Sequence, residues 1–212
     1  MPPRLRTVLA LALASVVAVM AVMWTMRGKE DGRAQGPPAH GLTGQFIVAT
    51  PAMADSRFAK SVIYIVADEE DGAMGLIVNR IVGSGPMKSL LAGFGVPSEN
   101  ENSTVTLYYG GPVEPRRGFV LHSAEYTGPD TRVVAGDIAI STGLDVLRAM
   151  ATRQGPQHSR VMLGYAGWGP GQLDGEIARG DWLTASARAP LVFDDDAGTL
   201  WERVYKQAGR AL

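Results

Sequence analysis

The chain contains no cysteine. That excludes a disulfide framework, thiolate metal sites and a cysteine nucleophile. Histidine is scarce as well: there are three, His40, His122 and His158, too scattered to suggest a zinc site. Basic clusters are absent. No Lys/Arg run exceeds the pair Arg116-Arg117, and beyond residue 41 fifteen bases face nineteen acids. A mildly acidic body makes direct nucleic-acid binding unfavourable, because such binding rests on neutralising phosphates. The sequence also lacks a Gly-Lys-Ser/Thr phosphate loop, a GxGxxG fingerprint and a GxSxG nucleophile elbow. No metal set, cofactor loop or catalytic constellation is recognisable, and no cofactor is expected.

What is present is a foldable composition. Of 212 residues, 46% are hydrophobic and 19% charged, which suits one domain with an added segment and argues against disorder. After a short basic flank (1–7), residues 8–26 (VLALALASVVAVMAVMWTM) carry no charge. As a helix they would extend about 28 Å, enough for a hydrocarbon core of about 30 Å. The segment reads as an N-terminal transmembrane anchor, with a cleavable signal peptide as its rival. The exit AVMWTMRGKE offers no small-x-small cleavage site. Residues 27–41 are a polar, Gly/Pro-rich linker, and the body occupies 42–212.

Within the body, residues 44–50, 61–67 and 73–80 read as strands, with 68–72 (DEEDG) an acidic hairpin turn rather than a cation loop. Asn79 closes the third strand, either as a site residue or as an Asn bonding its own turn. IVGSGP (81–86) reads as a loop and 87–94 as a short helix. A strand over 105–109 runs into Gly110-Gly111-Pro112, whose paired glycines permit close approach of backbone to a ligand or to another strand. His122 ends a strand over 119–122, where it could act as a general base or be hydrogen-bonded structure; Ser123 points to the opposite face. Residues 133–141 read as one strand, 144–153 as an amphipathic helix, and 191–193 as a short strand. Asp194 to Asp196 lead a final helix whose apolar face is Leu200, Trp201, Val204 and Tyr205.

The most distinctive stretch is 164–183, GYAGWGPGQLDGEIARGDWL. Gly167-Trp168-Gly169 predicts a turn and Pro170 a helix start. Gln172 and Glu176 share one helical face, and Gly180 marks the stop.

LTGQFIVATPAMADSRFAKSVIYIV, DGAMGLIVNR, YYGGPVEPRRGFVLHS, VMLGYAGWGPGQLDGEIARGDWL and LVFDDDAGTLWERV follow one another through residues 42–205. In this order they resemble the AlgH/YqgE family of bacterial proteins. The resemblance implies a single α/β (α+β) domain with a curved, mixed, partly barrel-like sheet flanked by helices, here preceded by a hydrophobic helix. It also implies a regulatory role, while supplying no mechanism. Two departures stand out. The family's pattern has a His after the second strand where this chain has Ala67-Asp68, and typical members start near the Leu42 equivalent.

Three readings follow. The first is a non-enzymatic binding or regulatory module on the bacterial inner membrane, taking a protein or small-molecule ligand. Its candidate surface is Asn79, Gly110, Gly111, Pro112, His122, Gly167, an exposed Trp168, Gly169, Gln172 and Glu176. The second is a hydrolase-like enzyme with Glu176 or His122 as general base and amides of 110–112 as oxyanion donors. The third makes all these residues structural.

Overall fold

Period-two alternation with both faces apolar organises the first strands. In β1 (Gln45–Ala49) and β2 (Val62–Glu69), Phe46, Val48, Val62, Tyr64 and Val66 pack into one cluster. Ile47, Ala49, Ile63 and Ile65 enter a second cluster on the other face. Such strands are covered on both sides, which is why they read as continuous apolar runs. The computed structural model describes residues 41–96 and 103–209. The uncharged segment 8–26 and the linker to residue 40 lie outside them. Among the described residues no helix is long and apolar enough to cross a membrane.

The remaining strands are β3 (Gly72–Ile77), β4 (Ile81–Pro86), β5 (Thr104–Tyr109), β6 (Val113–Ser123), β7 (Thr131–Ala135), β8 (Ile138–Ser141), β9 (Ser159–Trp168) and β10 (Trp182–Ser186). They form one ten-stranded sheet in the order β10-β1-β2-β3-β9-β6-β8-β7, with the β4–β5 ribbon joined to β9. All pairings are antiparallel except β5 with β9. The sheet curls into a half-barrel. Arg132 on β7 donates to the Val66 carbonyl at 3.0 Å, so the far end of the sheet curls back to β2. The domain is α+β.

Among the described residues five helices complete it: α1 (Met87–Gly93), α2 (Asp145–Ala151), α3 (Gln172–Ala178), α4 (Ala189–Val192) and α5 (Ala197–Ala208). The apolar side of α5 joins the first cluster through Leu200 and Val204, and Asp196 caps it by accepting from the Thr199 amide. Helices α1 and α2 cover a third cluster around Leu91, Val146 and Val161.

Three local expectations are corrected. IVGSGP is strand β4, not a loop; it is an exposed strand whose only partner among the described residues is β5, so burial stamped no alternation on it. The single strand over 133–141 is the hairpin β7–β8, turned at Gly136 with φ of +52°. Residues 191–193 belong to or cap helix α4, where Pro190 suits the first turn.

Candidate functional site

Strand β9 is the crossroads of the sheet. Its first half pairs with β5 and β6, and its last three residues pair with β3. At the change of partner, the segment Gly110-Gly111 lies directly against Gly164-Tyr165. A Cβ on Gly110 would sit 2.2 Å from the Gly164 carbonyl oxygen, and one on Gly111 2.1 Å from the Tyr165 carbonyl carbon. Gly110 donates to the Leu163 carbonyl at 2.8 Å and accepts from the Ile77 amide at 2.9 Å. In the structure these two glycines therefore face other backbone.

Past this crossing, β9 delivers Gly167 and Trp168 to a cleft of about 360 Å³. One wall is the loop after β1, with Met53, Asp55, Arg57 and Phe58; the other is α3 and the turn after it, with Gln172, Glu176, Arg179 and Asp181. Thr50 ties both walls to the end of β1. Its amide and hydroxyl donate to the carbonyls of Asp181 and Gly180, and it accepts from the amides of Ala52 and Met53.

Glu176 organises the inner end. One carboxylate oxygen accepts from the indole N–H groups of both Trp168 and Trp182, each at 2.8 Å; the other accepts from Gln172 at 3.0 Å. Gln172 in turn accepts from the Gly169 amide. The rings of Phe58, Trp182 and Trp168 stand edge-to-face in series, with centroids 5.7 and 6.2 Å apart. Burial is the largest influence on the Glu176 carboxyl and pushes its pKa up. The donors Trp182, Gln172 and Trp168 and the charge of Arg179 together outweigh it, so the pKa lies below the usual carboxylate range. The outer rim carries two ion pairs, Arg57–Asp55 at 2.7 Å and Arg179–Asp181 at 2.9 Å, with both arginine side chains 63% exposed.

Of the residues singled out in the sequence, the structure gathers Pro112, Gly167, Trp168, Gln172 and Glu176 in this cleft, with Gly169 bonded to Gln172 beside it. Trp168 is not exposed as expected but 7% accessible, because its indole is drawn under α3 by Glu176. Strand β9 also runs through Trp168, where a turn was predicted, and α3 begins after Gly171 rather than at Pro170. Asn79 lies outside the lining and supports a wall. Its side chain accepts from the Val62 amide and donates to the Lys60 carbonyl, both at 2.9 Å, while Arg80 donates to the carbonyls of Arg57 and Ala59.

His122 is fully buried elsewhere, between β6 and β8. Its Nδ1 faces the Ser123 carbonyl, so it carries the proton, and Nε2 accepts from the Ser141 hydroxyl at 2.9 Å. Ser141 accepts from Thr131, which accepts from the Gly128 amide. The relay is complete and joins three strands. Burial lowers the His122 pKa, against the opposing pull of the Ser123 carbonyl and the Glu125 charge. An unfolded chain therefore binds this proton more tightly than the folded one. The contribution is whole above the ordinary value of about 6.5 and is lost as pH falls below it. Urea titrations between pH 7.5 and 5.5 are expected to show this loss, and His122→Phe to flatten the slope.

Asp55, Arg57, Phe58, Arg179 and Asp181 were not anticipated. The two Arg/Asp pairs at i,i+2 spacing were visible in the sequence, but nothing local indicated that they meet across a cleft.

Comparison with known proteins agrees with this architecture. The AlgH-like family model matches residues 46–212. A UPF0301 protein of Methylococcus capsulatus is 52% identical over 177 residues, covering 83% of this chain and 97% of its own. A UPF0301 protein of Cereibacter sphaeroides is 41% identical over 169 residues, covering 79% of this chain and 92% of its own. The solution structure of the AlgH protein from Pseudomonas aeruginosa superposes with a TM-score of 0.69 at 37% identity, covering 84% of this chain and 93% of that one. The crystal structure of DIP2367 from Corynebacterium diphtheriae shares the fold, with a TM-score of 0.60 at 23% identity over 82% of this chain and 88% of that one. The chain belongs to the AlgH-like family.

Proposed function

We propose that the chain is a non-enzymatic binding or regulatory module whose ligand site is the cleft between the loop after β1 and α3, tethered to the bacterial inner membrane through residues 8–26. The cleft itself carries the reading. It is a preformed concavity with an aromatic wall and two exposed guanidiniums, and its innermost carboxylate is already saturated by three donors. A carboxylate with lowered pKa and both oxygens engaged is a weak general base. His122, the other candidate base, sits outside the cleft with both ring nitrogens engaged. The hydrolase reading thus gains no support from either residue.

Thermal unfolding of the full-length chain against a panel of metabolites and peptides tests the site. The double variant Arg57→Ala/Arg179→Ala is expected to unfold close to the parent, since exposed ion pairs contribute little. It is expected to change the ligand-induced stabilisation, lowering it for an anionic ligand and raising it for a cationic one. A ligand that stabilises parent and variant equally would place the site elsewhere. The tether is tested by protease digestion of intact spheroplasts after membrane fractionation, and a wholly soluble body would overturn it.

A further inference from the structure

We infer that the occupant of the cleft is an extended polypeptide segment bearing Lys or Arg, which adds to a free edge of β9; this rests on the binding-module reading above. The first observation is an edge of β9 that no strand among the described residues covers. The pairing of β6 with β9 stops at Val113 opposite Tyr165, whereas β9 continues to Trp168 with β3 on its other side. The residue before Val113 is Pro112, which has no N–H and cannot continue the ladder. The exposed Gly167 and Pro112 both line the cleft, so the place where the ladder ends is also the floor of the concavity. An extended peptide laid there meets strand backbone on one side, as in recognition by strand addition.

The second observation is charge. The lining holds two guanidiniums, Arg57 and Arg179, against three carboxylates, Asp55, Asp181 and Glu176. A nucleotide or other multiply anionic ligand would enter a site of net negative charge and compete with the carboxylates for both arginines. A cationic side chain instead finds Asp55 and Asp181 at the rim, each held by a single exposed arginine whose pairing is weak and exchangeable. Both oxygens of Glu176 are taken, so of the three lining carboxylates the two rim aspartates are the ones open to a cationic group. The third observation is the apolar lining of Met53, Phe58, Pro112 and Val113, which suits the alternate side chains of an extended segment.

The test uses the full-length chain and four probes: the peptide acetyl-Val-Lys-Val-Arg-Val-amide, its counterpart with Glu at both charged positions, a version N-methylated at alternate amides, and spermidine. Binding is read from tryptophan fluorescence and from the indole N–H resonances of Trp168 and Trp182. The basic peptide is expected to bind at least about ten-fold more tightly than the Glu peptide, and N-methylation to remove about ten-fold or more. Asp55→Asn with Asp181→Asn is expected to erase the preference for basic over acidic peptide. Spermidine binding as tightly as the peptide, or indifference to N-methylation, would overturn strand addition. If small molecules from the panel bind and no peptide does, the inference fails and the module reading stands. If nothing binds the cleft, both fail.

Discussion

Gly164→Ala is expected to destabilise the domain by about 3–5 kcal/mol, combining left-handed backbone strain with an overpacked contact that cannot relax. Gly164 has φ of +70°, and a Cβ there would lie 2.4 Å from the Gly111 carbonyl oxygen and 3.0 Å from that of Val113. Both obstacles are backbone at the point where β9 changes partner, so no side-chain rotation relieves them. The loss is a large share of the roughly 5–15 kcal/mol that holds a typical domain folded. Gly118→Ala on neighbouring β6 is the control, since a Cβ there meets nothing within 4 Å. It is expected to cost less than about 1 kcal/mol. Urea midpoints of the two variants decide the matter. A Gly164→Ala protein as stable as the control would show that the crossing is not close-packed. The same geometry explains why Gly110 and Gly111, attractive as an amide cradle, stand against Gly164 and Tyr165 instead.

The second large effect is expected at Glu176. Removing the carboxylate in Glu176→Ala leaves the indole N–H groups of Trp168 and Trp182 without their acceptor, in residues 7% and 1% accessible. An unsatisfied buried donor costs about 1–3 kcal/mol, and two share this acceptor, so a loss of about 2–4 kcal/mol is expected. Glu176→Gln keeps an acceptor oxygen and is expected to lose about half as much. The tryptophan emission and near-ultraviolet circular dichroism of the Ala variant should change as the edge-to-face pair loosens. An Ala variant with unchanged midpoint and spectra would remove Glu176 from the architecture of the cleft. The pH dependence follows from the lowered pKa. The carboxylate's contribution is present above the unfolded carboxyl value near 4.5 and is lost as pH falls through the lower folded value. Between neutral pH and pH 5 the parent's cleft therefore keeps this anion.

The pattern of residues on its own determined the strand cores and the last helix. The β-branched runs over 44–50 and 61–67 match β1 and β2 because strands buried on both faces need apolar side chains at every position. The stripe of Leu200, Trp201, Val204 and Tyr205 behind three aspartates placed α5 and its cap, since helix period and capping are local properties. The i,i+4 relation of Gln172 and Glu176 was legible for the same reason, and the two side chains do bond to each other. The ordered motifs also sufficed for the family.

Tertiary structure decided the rest. Exposed β4 carries no burial alternation, so its strand character exists only through pairing with β5. Whether the glycines at 110 and 111 met a ligand or a chain depended on where β9 changes partner, 54 residues after Gly110 at Gly164. Trp168 looked like an exposed contact residue until the carboxylate eight positions later drew its indole beneath α3. Asp55 and Arg57 became cleft residues because Asn79 and Arg80 hold their loop opposite α3. Local sequence encodes period and caps; which surfaces face each other across a cleft is set by sheet register, and register is a property of strands far apart in the chain.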